Sequence, residues 1–242
     1  MTRTFSLLTL MTGLLTVPLT GEAAGFGINA TRLIYPEGAS SISVTVRNTL
    51  SHEPYLVQAS ISGQQEHKTA APFSVTPPLF RLEPQSINQL RIAFTGQPLP
   101  ADRESVFYFH TVAIPTSSQA NNGQGQQDIK AQLSFGVGNI IKLFYRPAGL
   151  GISSADARKG LQFSSESNGL KVTNPSPYFV NLAELQVGSQ KLKLDTPASR
   201  MLAPFGNHTW PVKASDLAPG KKVQWQAIND TGGADAFSAG LP

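Results

Sequence analysis

The pattern of apolar and polar positions along this chain is dominated by a period of two residues. Apolar and polar side chains alternate over residues 41–47, 55–61 and 89–94, and in looser form over residues 106–112. Successive side chains of a β-strand point to opposite faces, so this period is typical of half-buried strands. Short clusters rich in Pro and Gly separate the runs, as turns between antiparallel strands require. Helical periodicity is scarce, and we therefore expect an all-β fold.

A second group of strand-like runs follows a stretch of small residues at positions 148–154. These runs cover residues 170–172, 178–182, 191–194, 208–210 and 223–228. One β-sandwich needs about 100 residues, so the chain is long enough for two. We predict two sandwich domains, residues 24–148 and 149–242, with a hinge near residue 150.

The N-terminus has the pattern of a secretory signal peptide, which we assign to residues 1–23. Arg3 precedes an apolar run at residues 5–19, and small residues follow before position 24. That run is shorter than the roughly 20 residues of a membrane-spanning helix, and no other stretch is long and apolar enough, so we expect no membrane span. The chain has no cysteine, so each domain must rely on its apolar core without disulfides. These features favour a bacterial periplasm.

One segment combines a polar loop with an alternating strand. Residues 116–128 (TSSQANNGQGQQD) contain no large apolar side chain and predict a flexible loop. The odd positions that follow are apolar, which places five side chains on one face of a strand: Ile129, Ala131, Leu133, Phe135 and Val137. Two interpretations are open. The face packs into the first domain's own core, or it belongs to an edge strand that is offered to a partner.

Charge and candidate chemistry argue against nucleic-acid binding and catalysis. The net charge of +4 is spread without any basic run of the kind that nucleic-acid binders show. The four histidines lack the spacing of metal ligands, there are no thiolates, and there is no G-x-S-x-G elbow. A formal match to a dinucleotide fingerprint at residues 25–30 has no preceding strand. We therefore predict no catalytic residue, no metal and no cofactor.

Six ordered motifs resemble the signatures of the periplasmic pilus-assembly chaperones typified by PapD. They are residues 31–38 (TRLIYPEG), 76–84 (TPPLFRLEP), 102–109 (DRESVFYF), 141–147 (IKLFYRP), 174–180 (NPSPYFV) and 228–233 (INDTGG). The resemblance implies two immunoglobulin-like domains in an L-shaped arrangement with a cleft between them. It also implies pilus subunits as clients, an outer-membrane usher as the receiving partner, and self-association of the subunit-free protein. The long loop lacks the cysteine pair of the long-loop branch, so the branch stays open.

The same resemblance suggests roles for individual residues. Arg32 and Lys142 match the pair that holds the C-terminal carboxylate of the subunit. A carboxylate only accepts hydrogen bonds, so two cationic donors suit it. Arg81, Glu104 and Asp230 match an interdomain ionic network. Lys142 has the opposite parity to the apolar row, which a β-bulge, a twist or a strand end after Gly138 would reconcile. The donor-strand positions of the family correspond to Ile129, Leu133, Phe135 and Val137.

A pilin or adhesin built from the same sandwiches is the rival interpretation. A pilin normally carries its alternating strand at the N-terminus, whereas this one lies in mid-chain after a loop. The position of the strand therefore favours a chaperone.

Overall fold

The computed structural model describes residues 25–66, 69–116 and 135–242, and strands predominate in all three ranges. The first domain contains β1 (Phe26–Ile28), β2 (Arg32–Pro36), β3 (Ile42–Asn48), β4 (Tyr55–Ser62), β5 (Phe73–Thr76), β6 (Leu79–Leu82), β7 (Ser86–Phe94), β8 (Ser105–Pro115) and β9 (Val137–Arg146). The second contains α1 (Ser154–Lys159), β10 (Gln162–Glu166), β11 (Gly169–Thr173), β12 (Val180–Val187), β13 (Gln190–Lys191), α2 (Pro197–Arg200), β14 (Met201–Leu202), β15 (Asn207–Trp210), a 3₁₀ turn (Ala214–Asp216), β16 (Lys222–Ile228) and β17 (Ala234–Gly240). The prediction of an all-β fold is confirmed.

Two sheets pack face to face in the first domain. One has the strand order β1-β3-β7-β5 and the other β2-β9-β8-β4-β6. Alternate residues of each strand fill the space between the sheets, as the period of two predicts: Val44 and Val46 of β3 and Leu90 and Ile92 of β7 are buried, while their neighbours are more exposed. Apolar burial of this kind is the main stabilising contribution to a sandwich without disulfides.

Strand β9 is paired unequally on its two edges. Along one edge it pairs with β8 from Val137 to Tyr145 in an antiparallel ladder. Along the other edge it pairs in parallel with β2, and only from Lys142 onward, with Arg32 opposite Lys142. Within the residues that the structure describes, residues 137–141 therefore carry backbone groups on that edge without a neighbouring strand. An uncovered strand edge is a template for adding another strand.

The second domain is a smaller sandwich with a core of its own. Its sheets have the orders β10-β11-β15 and β13-β12-β16-β17, and β14 also pairs with β12. Trp210 and Trp225 lie in the core, where each indole N–H donates to a backbone carbonyl. Asn174 is fully buried, and its amide donates to the carbonyls of Tyr178 and Ala203, which explains the asparagine of the NPSPYFV motif.

The predicted boundary near residue 150 lies between Arg146, where β9 ends, and Ser154, where α1 begins. The buried cluster of the first domain ends at Tyr145 and that of the second begins at Leu161. Each domain thus has its own apolar core, and polar contacts connect the two domains.

Candidate functional site

The two predicted anchor cations lie side by side at the junction of the domains. Leu143 and Tyr145 of β9 point into the first core, so Lys142 points to the opposite face, toward the second domain. Its Nζ donates to Oδ1 of Asn181 at 2.9 Å. Arg32 donates from Nη1 to the carbonyl oxygen of Ile228 at 3.2 Å. Both cations therefore hold polar groups of the second domain, and they line a cleft of about 320 Å³.

Neither cation is neutralised by an acidic side chain. In the described part of the chain, no carboxylate oxygen lies within 4 Å of Arg32 or Lys142. Burial lowers the pKa of Lys142, and the positive charges of Arg32 and Arg200 lower it further. Burial also lowers the pKa of Arg32, although the charge of Asp230 acts in the opposite direction. A pair of partly desolvated cations in a cleft, neither of them in an ion pair with a described residue, has the charge and the donors that suit an anion.

Apolar side chains lie exposed just before this site. Phe135 is 75% exposed and Val137 is 43% exposed, and Ile140 is also exposed. Phe135 therefore does not belong to the core of the first domain. Two other predicted donor-strand residues, Ile129 and Leu133, lie outside the described residues.

Lys142 and Val137, the last residue of the apolar row, lie on opposite faces of β9, and no β-bulge brings them together. The ladder between β8 and β9 keeps one register from Val137 to Tyr145. Val137 pairs with Ala113, whose side chain is buried in the core, so Val137 faces the core side while Lys142 faces the second domain. Of the three alternatives offered by the sequence, the continuous register excludes a β-bulge and a strand end after Gly138. Val137 and Lys142 instead occupy the two faces of strand β9.

The interdomain ionic network is centred on Arg146, which the sequence analysis did not select. Its Nε donates to Oε1 of Glu104 at 2.7 Å, and its Nη1 and Nη2 donate to the two carboxylate oxygens of Asp230 at 2.8 and 3.0 Å. Glu104 is 4% exposed and also accepts the backbone N–H of Phe179. Ser154 donates to Asp230. The network thus connects the end of β9 to the second domain through charge-assisted hydrogen bonds.

The predicted role of Arg81 in this network is wrong. Arg81 lies on β6 and pairs with its neighbour Glu83 at 2.6 Å, and both side chains are more than half exposed. A residue of β6 is separated from Arg146 by strands β4 and β8, which lie between β6 and β9 in the sheet. The sequence did contain the signal for Arg146, because it follows Lys142 by four residues and so shares its face.

The pKa values of the two acids of the network shift in opposite directions. Burial raises the pKa of Glu104, and the charge and hydrogen bond of Arg146 offset only part of that rise. For Asp230, burial also acts upward, but the hydrogen bonds and charge of Arg146 outweigh it, so its pKa lies below the usual value for aspartate.

A turn of the second domain contacts the first domain closely. Gly232 lies in the turn between β16 and β17 with φ of +92°. A Cβ atom at this position would lie about 2.3 Å from Oγ1 of Thr31, directly before β2. Glycine is therefore required here both for its backbone conformation and for the approach of the domains.

The described ranges contain neither a metal-binding group of side chains nor a membrane-spanning helix. They contain no group of three or more His, Asp or Glu side chains that could hold a metal ion. They also contain no helix with the length and apolar character needed to cross a membrane.

Comparison with known proteins identifies the class. Residues 25–151 match the model of the pili and flagellar-assembly chaperone, PapD N-terminal domain. Residues 156–239 match that of the pili assembly chaperone PapD, C-terminal domain. The chain belongs to the PapD-like family of pilus-assembly chaperones. The family consists of chaperones, so the prediction that this chain is not an enzyme is confirmed.

Individual relatives agree with this membership. The probable fimbrial chaperone protein ElfD of Escherichia coli (strain K12) is 36% identical over 208 residues, which is 86% of this chain and 83% of ElfD. The chaperone protein FimB/FhaD of Bordetella pertussis is 36% identical over 90% of this chain and 88% of its own length. The crystal structure of the E. coli chaperone DraB superimposes with a TM-score of 0.72 at 34% identity and covers 90% of this chain and 97% of DraB. The two-domain chaperone fold implied by the resemblance is confirmed.

A further solved structure contains both a chaperone and its client. It is the Salmonella enterica SafA pilin in complex with the SafB chaperone, with a TM-score of 0.72 and 30% identity over 91% of this chain and 98% of the matched chain.

Proposed function

We propose that this protein is an exported periplasmic chaperone that completes pilus subunits by lending them strand β9 and the residues before it. The observation that carries the proposal is the open edge of β9 at residues 137–141, which ends at Arg32 and Lys142. An apolar donor strand that leads to two unneutralised cations suits an extended segment with a free carboxylate at its end. The relation to SafB, which was solved with a pilin, supports a subunit as the client.

The position of the anchor determines how the subunit strand lies. If its C-terminal carboxylate binds Arg32 and Lys142 and the strand follows residues 137–141, its C-terminus points the same way as that of β9. The added strand is then parallel to β9, as β2 already is. A slip of one residue would turn every side chain of the added strand to the other face, so a fixed terminus also fixes the register.

The apolar row supplies most of the binding free energy. Phe135 and Val137 are exposed in the free protein and would be buried in the subunit, and Ile129 and Leu133 would extend the row. Each such side chain contributes about 1.5–3 kcal/mol when it leaves water. Association costs several kcal/mol, so three or four apolar side chains are needed for a stable complex.

Compartment and delivery follow from the same proposal. Residues 1–23 direct export to the periplasm, where the chaperone holds the subunit until an outer-membrane usher receives it. The exposed apolar row would also favour self-association when no subunit is bound.

Replacement of Phe135 by aspartate tests the proposal. Phe135→Asp alters a side chain that is 75% exposed, so the free protein should keep its stability to within about 0.5 kcal/mol. Capture of a co-expressed pilus subunit from the periplasm should be lost, because the variant would bury an unpaired carboxylate in the subunit. Thermal unfolding is measured at several dilutions, because self-association makes stability depend on concentration.

Ile87→Asp is the matched control. Ile87 is 73% exposed on β7, in the other sheet of the same domain, and should tolerate the change without loss of capture. Capture by Phe135→Asp at the wild-type level would contradict the proposal. A concentration-independent loss of about 3–5 kcal/mol in the unfolding free energy of Phe135→Asp would also contradict it, because that is the cost of truncating a core phenylalanine.

A further inference from the structure

Asn181 of the second domain is a buried polar residue next to the anion site. It lies on β12 and is 2% exposed, and its Oδ1 accepts the hydrogen bond of the Lys142 ammonium at 2.9 Å. Its Nδ2 is buried and has no hydrogen-bond partner. A buried amide with an unused donor is unfavourable by about 1–3 kcal/mol in general, and native proteins retain such groups rarely.

The position of Asn181 is rigid. Its neighbours Val180 and Leu182 are buried in the second core, and its backbone pairs with Met201 of β14. The side chain therefore projects from a fixed strand of one domain onto a flexible lysine of the other.

The chemistry of this contact is specific to a neutral acceptor. An ammonium group has three donors, and Asn181 uses one, which leaves the others for a ligand. An aspartate at this position would bind Lys142 as an ion pair and neutralise it. The charged group of the second domain that acts on Lys142 is Arg200, a cation, so that domain supports a positive site.

We propose that Asn181 is a positioning residue of the carboxylate site, which orients the Lys142 ammonium toward the cleft and makes carboxylate recognition depend on docking of the two domains. This inference rests on the proposed anchor function of Arg32 and Lys142. It assigns the second domain a part in recognising the end of the subunit, in addition to its part in the interdomain contact.

The test compares two forms of one probe, a short synthetic peptide of alternating valine and threonine with either a free C-terminal carboxylate or a C-terminal amide. The ratio of their affinities for the full-length protein isolates carboxylate recognition from strand addition. The wild-type protein should prefer the free carboxylate by about tenfold to a hundredfold, the range of one charge-assisted hydrogen bond. Asn181→Asp should reduce this preference to about twofold or less, because its own carboxylate occupies Lys142.

Two further variants complete the series. Asn181→Leu removes the acceptor without adding charge and should also lower the preference several-fold, whereas affinity for the amide peptide should change little. Asn207→Asp is the matched control, since it adds the same charge at an exposed position of the same domain and should keep the wild-type ratio. If Asn181 had a purely structural role, its replacement would weaken the binding of both peptides equally and leave the ratio of their affinities unchanged.

The outcomes separate the inference from the function on which it rests. If Arg32→Ala and Lys142→Ala abolish the preference while Asn181→Asp and Asn181→Leu, both folded, keep it, the inference about Asn181 is overturned and the anchor stands. If the Arg32 and Lys142 variants keep the preference, the anchor itself is wrong, and the inference with it.

Discussion

Replacement of Arg146 by methionine should weaken the contact between the two domains. The effect should be larger than that of replacing any exposed charged residue of the first domain. Methionine keeps much of the apolar volume of arginine but removes the donors that Glu104 and Asp230 accept at 2.7–3.0 Å. Glu104 would then be a buried carboxylate, 4% exposed, that accepts only the backbone N–H of Phe179 among the described residues. Breaking a buried pair in this way costs about 3–5 kcal/mol.

The measured loss has an upper limit that the structure explains. If the domains separate, Glu104 regains water and the penalty disappears, so the loss cannot exceed the free energy that holds the domains together. Arg146→Met should therefore lower the unfolding temperature. It should also broaden the distribution of distances within the molecule that small-angle X-ray scattering measures.

The matched control is Arg81→Met. The pair of Arg81 with Glu83 is exposed at both ends, and such pairs contribute about 0–1 kcal/mol. If Arg81→Met lost as much stability as Arg146→Met, or more, the assignment of the network to Arg146 would be refuted. An unchanged scattering curve for Arg146→Met at lowered stability would refute its interdomain role.

Three further predictions address the same junction. The pKa of Asp230 is lowered in the folded protein, so its stabilising contribution is present above the ordinary aspartate pKa of about 3.9 and is lost as pH falls through the lower folded value. Acid unfolding should therefore be shallower in Asp230→Asn, and equal acid slopes for both proteins would contradict this. Gly232→Ala should disrupt domain docking, because its Cβ would overlap Thr31, and the added substitution Thr31→Ala should restore part of the loss in thermal unfolding; no restoration would argue against the overlap. The pKa of Lys142 is lowered, so preference for a free peptide carboxylate should begin to fall, as pH rises, already below the ordinary lysine value of about 10.4, and a preference that stays constant up to that pH would count against the role of Lys142 in the anchor.

The period of two was sufficient to predict the strands that form the core. In β3 and β8, the residues that alternation places on one face are the residues that the structure buries, such as Val44, Val46 and Phe109. One face of these strands contacts the opposite sheet and the other faces outward, so the pattern follows directly from solvation.

The contacts between domains could not be predicted in the same way. Arg81 and Arg146 are both arginines in family-like motifs, and although Arg146 shares the face of Lys142, the period alone does not say which face the second domain approaches. The answer depends on strand order: β9 lies next to the edge strand β2, near Ile228 and Asp230, whereas β6 lies at the far edge of the sheet. Asn181 gave no signal for the related reason that its partner, Lys142, is 39 residues away in another domain.

The half-length pairing of β2 along β9 also sets a limit on the length of whatever binds there. Under the proposed function, the added strand and β2 occupy the same edge of β9 in the same direction, one after the other, with Arg32 at the junction. A client strand must end where β2 begins, because a longer C-terminus would collide with backbone that is already paired. The chaperone would thereby select a client strand by the position of its C-terminus. It would exclude segments from the middle of a chain even when their apolar and polar residues alternate correctly.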